Sequence, residues 1–312
     1  MKILILGGSG FVGGHLARRL SRDGHSVTIA TRHAPVARRL KVVPRLKVRA
    51  FDPYDVEQLG EQLAGHDVLI NLVGILNERG FGRDGFRRAH VELVETCIQA
   101  CRSNGVKRFV QMSALNAGKG ESHYLKTRGE GEDRVRDSGL DWTLLRPSTI
   151  FGPDDSFLNR FVALLRFAPV MPLACPGARF APAYVGDVVE AMARILKRRD
   201  TVGACFELCG SETWGLKDLV QWIARRRNWR RWVIGLPAPL GRLQGAVFDF
   251  VPGKPFSSDN FKSLQLDSVC AEDGFGQLGI EPWGMKEKAV EWLNPDDKQR
   301  RYQRFRTRAR RG

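Results

Sequence analysis

The sequence predicts an α/β protein, a doubly wound parallel sheet with a small, mostly helical C-terminal lobe. Three observations carry that prediction. The chain opens on a short apolar run, residues 3–6, too short for a helix and suited to a strand buried on both faces. Gly7, Gly10 and Gly13 follow in the spacing G-x-x-G-x-x-G and lead directly into an amphipathic stretch over residues 11–22. From there to residue 147, apolar runs alternate with helical stretches, the pattern of a parallel sheet covered by helices on both faces. The arrangement is Rossmann-like, and 312 residues suffice for such a domain with a second, smaller one.

Strand, glycine turn and helix occur in the order a dinucleotide site requires. Gly7 lets the chain turn sharply, Gly10 leaves room for a pyrophosphate, and Gly13 lets the helix pack close to the strand. Ser9, Phe11 and Val12 complete the expected cofactor-binding stretch, at a helix N-terminus whose free N–H groups and positive dipole end favour phosphate. A second strand is expected over 26–31, ending at Arg32. An acid there would bind the ribose 2′-hydroxyl of NAD, whereas an Arg accommodates the 2′-phosphate of NADP. No Asp or Glu occurs between Asp23 and Asp52, so NADP(H) is preferred and NAD(H) is the alternative.

A third strand over 47–51 ends at Asp52, which is placed to reach the adenine amino group or else to cap a following helix at Pro53. A fourth over 67–73 contains Asn71 and Val73 and ends at Gly74. A long helix over 85–104, a fifth strand over 108–112 ending at Ser113, a helix over 124–138 and a sixth strand over 142–145 ending at Arg146 and Pro147 complete the first half. Ligands bind outside the carboxyl ends of such strands, where this polar punctuation collects. In the second half, helices are expected over 157–168, 185–198, 216–227, with Thr213 as a cap for the last, and over 239–251. The expected division is an NAD(P)-binding domain over 1–150, a lobe over 151–297 interleaved with the sheet edge, and a basic, disordered tail over 298–312.

Composition bounds the rest. Six Cys in a chain of this size, with no signal-peptide layout at residue 1, indicate a reducing cytoplasmic compartment and free thiols. Cys97 and Cys101 fall on the long helix, and Cys205 and Cys209 in an expected strand. Neither pair has zinc-site spacing and no His follows His123, so buried thiols and no metal are expected. His15, His33, His90 and His123 have no partners by spacing and read as surface or helix-face residues. No apolar run is long enough to span a bilayer. The net charge is +16, and half of it sits in residues 298–312, with seven Arg, one Lys and no acid. Such a tail suits anionic lipid, which would give a peripheral location, or an acidic protein or nucleic acid, and confers little specificity by itself; nucleic acid is the least favoured, because nothing beyond charge points to it.

Two further stretches bear on partners. Residues 157–176 read as the core of the lobe, with a pocket for a hydrophobic substrate or a membrane-resting surface as alternatives. Residues 222–232, WIARRRNWRRW, suit a membrane interface or nucleic acid, or simply a helix C-terminus whose arginines complement its dipole.

The glycine loop, Asn71-Leu72-Val73-Gly74, Ser113 and Tyr124 together resemble the extended or atypical short-chain dehydrogenases/reductases. Residues 145–153 (LRPSTIFGP), 183–188 (AYVGDV) and 258–264 (SDNFKSL) resemble the branch containing the accessory subunit of mitochondrial respiratory complex I and its bacterial relatives. The resemblance covers roughly residues 1–293. It implies that Tyr124 does acid–base work, helped by Ser113 and by a cation four residues on, and that the cofactor contacts extend to Tyr124, residue 128 and Pro147. Hydride transfer to a carbonyl leaves an alkoxide that needs a proton, and a neighbouring cation lowers a phenol's pKa towards neutral. Here Arg128 stands where the family has Lys, and Lys126 lies about 200° round the helix. Arg keeps the charge but not the compact ammonium.

The resemblance therefore implies an NADP(H)-dependent oxidoreductase acting on a small hydrophobic, quinone-related carbonyl, near the respiratory membrane or in ubiquinone biosynthesis. The alternative is a catalytically silent NADP(H)-binding accessory or assembly subunit of a membrane respiratory complex, which the missing Lys favours. A redox-sensing regulator is the third reading. No feature sets an oligomeric state.

Overall fold

The computed structural model describes residues 1–31, 40, 42–78, 84–251 and 254–293. The first half runs β1 (Lys2–Leu6), α1 (Phe11–Arg22), β2 (Ser26–Thr31), β3 (Leu46–Ala50), α2 (Val56–Leu63), β4 (Val68–Asn71), α3 (Asp84–Arg87), a π turn (Arg88–Glu92), α4 (Leu93–Ser103), β5 (Arg108–Met112), α5 (His123–Arg136) and β6 (Asp141–Pro147). The second runs β7 (Ile150–Phe151), α6 (Leu158–Phe167), β8 (Val170–Leu173), β9 (Arg179–Phe180), β10 (Ala183–Tyr184), α7 (Val185–Ile195), β11 (Ala204–Leu208), β12 (Trp214–Gly215), α8 (Leu216–Arg226), β13 (Trp232–Gly235), α9 (Ala238–Phe248), α10 (Ser258–Ser263), α11 (Gly274–Gln277) and α12 (Met285–Leu293).

Seven parallel strands form the central sheet in the order β11-β6-β5-β4-β1-β2-β3. The chain starts in the middle, winds outward through β2 and β3, then returns to β4 and winds the other way. Ile3 stands opposite Val27 on one side and Val68 on the other, so the winding reverses between β1 and β4. That reversal is where doubly wound sheets open a ligand crevice. Both faces are covered. Ile3 and Ile5 pack with Leu16 and Leu20 of α1 and Val188 of α7. Leu4 and Leu6 pack with Leu59 of α2 and Cys97 of α4. The alternation along β1 explains why its short apolar run is unbroken. A third core, with Phe151, Leu165, Trp214, Ile223 and Trp292, holds the smaller lobe. No helix among the described residues is long and apolar enough to cross a membrane.

Several expectations change. The helix expected over 85–104 is broken in register by the π turn, which buries His90. Asp52 does not cap a helix: it accepts from the Tyr54 N–H, while Asp55 caps α2 by accepting from Glu57 and Gln58 N–H. Thr213 does not cap α8; Gly215 is its N-cap, because Trp214 and Gly215 are held as a strand against β9. Cys209 is not a buried thiol but is bonded to Cys270, 61 residues away, a separation at which spacing gives no signal. Cys97 and Cys101 are buried and free. The basic tail, 298–312, lies outside the described residues.

In residues 222–232, the Trp222 and Trp229 rings pack against the lobe's core beneath Arg226, Arg227 and Arg231, and Trp232 is exposed. Residues 157–176 divide likewise: Leu158 and Leu165 join the core, and Phe167 faces solvent.

Candidate functional site

At the carboxyl end of β1 the backbone makes the site. Gly7 has a φ of +75°, which L side chains rarely adopt, and its carbonyl accepts from the Gly10 N–H at 3.0 Å. A Cβ on Gly13 would lie 2.3 Å from the Gly7 carbonyl oxygen and 2.5 Å from Gly8 Cα, so only glycine lets α1 approach β1 this closely. Gly10 is the N-cap of α1, no side chain caps the helix, and its first turn carries no acid. The first N–H groups of α1 therefore point at unblocked space with the positive dipole end behind them, a fit for a pyrophosphate. Phe11 and Val12 occupy that first turn, half-buried, and Ser9 is half-buried in the loop before it.

Across the reversal, the β4 end is held by side chains. Asn71 is fully buried; its Nδ2 donates to Gln111 Oε1, and its Oδ1 accepts from the Val73 N–H at 3.1 Å. It shapes the Val73–Gly74 backbone and does not face the crevice with a free group. Pro147, at the end of β6, accepts from the Leu115 N–H through its carbonyl. Asp52 is exposed at the end of β3, and Arg32 lies outside the described residues.

The α5 end brings Tyr124, Arg128 and Glu132 onto one face, one turn apart. Tyr124 is half-buried, and its hydroxyl has no hydrogen bond among the described residues. Its ring lies edge-on to Phe86 and His90, with centroids 5.8 and 5.4 Å away, and the Arg128 guanidinium sits 5.5 Å from its centre. Arg128 is buried, donates from Nη1 to the Met112 carbonyl at 3.0 Å, and leaves Nε without a partner among the described residues. Its Nη2 lies 1.9 Å from where a Cβ on Gly74 would stand, so Gly74 is the clearance for this guanidinium. Lys126 is exposed, as its angle round the helix requires.

Ser113 is buried beside Glu132 rather than paired with Tyr124. Its Oγ makes no well-formed hydrogen bond, although the hydroxyl lies close enough to favour the ionised carboxylate. Burial alone would raise the Glu132 pKa; Arg146 at 2.8 and 2.5 Å, with Ser113 and Arg136, outweighs it and holds Glu132 below the usual carboxylate range.

Three residues with a part here escaped spacing arguments. His90, expected at the surface or on a helix face, is buried in the π turn and accepts from the Ile75 N–H through Nε2 at 3.4 Å, which leaves the proton on Nδ1 facing Thr127 Oγ1. Burial, and then Arg128, push its pKa down to about 2. Glu132 was findable, since it stands one further turn beyond Tyr124 and Arg128. Asp259 was not: 135 residues downstream of Tyr124, it accepts from the His123 and Tyr124 N–H groups at 2.6 and 3.1 Å and so fixes the start of α5.

Residues 7–158 match the NAD(P)H-binding family. The chain is 30% identical over 304 residues to the mitochondrial NADH dehydrogenase [ubiquinone] 1 alpha subcomplex subunit 9 of Rattus norvegicus, covering 93% of this chain and 78% of that protein. It is 30% identical over 194 residues to the ceramide reductase of Caulobacter vibrioides, covering 61% and 59%. In fold it is similar to MoeE5, solved in complex with UDP-glucuronic acid and NAD, with a TM-score of 0.73, 20% identity and 94% and 98% of the two chains covered. The chain therefore belongs to the NAD(P)-binding proteins of the extended short-chain dehydrogenase/reductase fold, in the family of the respiratory complex I alpha subcomplex subunit 9.

Proposed function

We propose that this protein holds a nicotinamide dinucleotide, NADP(H) in preference to NAD(H), as a structural element, and serves as an accessory or assembly subunit at a membrane respiratory complex from a peripheral, cytoplasmic position. The observation that carries this reading is Arg128. The residue in the place of the family's Lys is buried, bonded to the Met112 carbonyl and laid across Gly74, while Ser113 faces Glu132. A proton relay to Tyr124 needs both groups turned towards the phenol. The glycine loop keeps its fit for the pyrophosphate, so the reading separates binding from turnover. Within it, Gly7, Ser9, Gly10, Phe11, Val12 and Gly13 hold the pyrophosphate, Arg32 meets the 2′-phosphate, Asp52 reaches the adenine, and Val73, Gly74 and Pro147 line the nicotinamide end. When bound, the nicotinamide supplies hydride chemistry. The similarity to the rat NADH dehydrogenase subunit supports the respiratory partner.

The test is to denature the protein as purified and quantify what it releases. Near-stoichiometric NADP(H) surviving long dialysis is the expected result. An empty site that binds added NADPH reversibly would favour a second reading, an oxidoreductase on a hydrophobic carbonyl. The Tyr124 hydroxyl, unengaged among the described residues, and the similarity to the Caulobacter ceramide reductase support that one.

A further inference from the structure

We infer that the outer face of β8, β13 and α9 is a docking surface for an anionic lipid bilayer. β8 and β13 pair in parallel, with Trp232 opposite Val170 and Ile234 opposite Pro172. Met171 and Val233, between them, are buried in the lobe's core. The alternate residues point out: Trp232 is 73% exposed, and Val170 and Ile234 about half. A ribbon with one face in a core and the other in water presents polar residues outward; this one is apolar on both faces.

Helix α9 repeats the inversion. Its only buried residues are Gly241 and Gly245, pressed against Ala174, Phe261 and the backbone of Ser257 and Ser258. Leu240, Leu243 and Val247 form an apolar stripe facing away from the protein, with Leu243 58% exposed. Gln244 ties helix to ribbon: it accepts from the Ala174 N–H and donates to the Pro172 carbonyl, so α9 lies along the free edge of β8 and the two apolar faces adjoin.

Charge selects the occupant. β8, β13 and α9 contain Arg242 and no Asp or Glu, and Arg166, Arg230 and Arg231 lie in the segments leading into the two strands. Arg166, Arg230 and Arg242 are exposed around the apolar side chains. Aromatic and aliphatic groups rimmed by arginines match the boundary between acyl chains and anionic headgroups, where the apolar groups insert and the cations meet phosphate. A second copy of the chain would bring the same positive charge. The stretches 32–39, 41, 79–83, 252–253 and 294–312 hold only Asp296 and Asp297 as acids against many basic residues, so no segment of this chain complements the face.

The test uses the full chain and flotation with vesicles of phosphatidylcholine, alone or mixed with phosphatidylglycerol. Binding to the mixed vesicles and not to phosphatidylcholine alone is expected. The double variant Leu243→Glu, Val247→Glu changes two outward side chains and leaves the basic tail intact; its affinity for the mixed vesicles should fall at least about tenfold. Absence of flotation would overturn the inference, as would undiminished flotation of a folded double variant, which would assign binding to the tail. Self-association abolished by the same variant, without vesicle binding, would make the face a protein interface instead. No nucleotide enters the assay, so its failure leaves the reading of the dinucleotide site standing.

Discussion

The two ends of the candidate site are built from different materials. At the β1 end the geometry is in the backbone: a positive φ at Gly7 and the Gly13 approach leave helix N–H groups open. At the α5 end it is in side chains, each answered from a different element. Asp259 holds the start of the helix, His90 flanks the Tyr124 ring, Met112 receives Arg128, and Arg146 and Ser113 meet Glu132. Backbone geometry fixed by glycines needs no partner to persist. A constellation of side chains changes role as soon as one neighbour changes.

The largest expected effect breaks the backbone end. Gly13→Val places a Cβ against the Gly7 carbonyl and Gly8, with backbone on both sides and nothing able to yield. It should cost about 3 kcal/mol or more in denaturant unfolding and abolish NADPH binding in a fluorescence titration. Gly10→Ala is the control, because its Cβ meets only the Gly7 oxygen at 3.2 Å. That variant should fold and yet bind NADPH more weakly, since the methyl occupies the approach to the phosphates. A Gly13→Val protein with unchanged stability would remove the packing argument.

The same contrast sets what the sequence could say. β1, the glycine turn, α1 and the parallel, doubly wound character of the sheet were legible because they follow from local periodicity, glycine spacing and the alternation of strands with helices. Tyr124 and Arg128 were legible as residues on one helical face, but the sequence could not show that Arg128 turns to the Met112 carbonyl, because that depends on the clearance over Gly74. The π turn, the Asp259 clamp and the Cys209–Cys270 bond join segments by tertiary packing and carry no local signal. The short ribbons of the lobe escaped because paired segments of two to four residues have no period to read. Phe167 shows the limit from the other side: an apolar residue in an apolar stretch reads as core, yet it faces water.

An intermediate effect concerns pH at the α5 end. A free His takes a proton near pH 6.5, whereas folded His90, desolvated and beside Arg128, does so only at about 2. Between those values the unfolded chain binds the extra proton. Stability therefore falls as pH falls below 6.5, by up to about 1.4 kcal/mol per pH unit from this residue. His90→Gln keeps a hydrogen-bonding side chain without a titrating ring. Its unfolding free energy should lose less between pH 6.5 and 5 than that of the unmodified chain. Parallel pH curves for the two proteins would mean that His90 is not held neutral and that the side-chain end is looser than its contacts imply.

The smallest expected effect is the most discriminating. Tyr124→Phe removes only the hydroxyl. The ring keeps its neighbours Phe86, His90 and Arg128, and the Asp259 bonds to the backbone of α5 are untouched. If the dinucleotide is structural, stability should stay within about 0.5 kcal/mol and the nucleotide content of the purified protein within about twofold. If the phenol instead holds the ribose, the variant should lose nucleotide on dialysis with its fold intact, which would make the α5 end a binding element like the β1 end. If the phenol is a proton donor, nucleotide content stays and any carbonyl reduction disappears. The content of released NADP(H), read beside an assay for turnover, therefore separates a side-chain end that no longer works from one that works through Arg128.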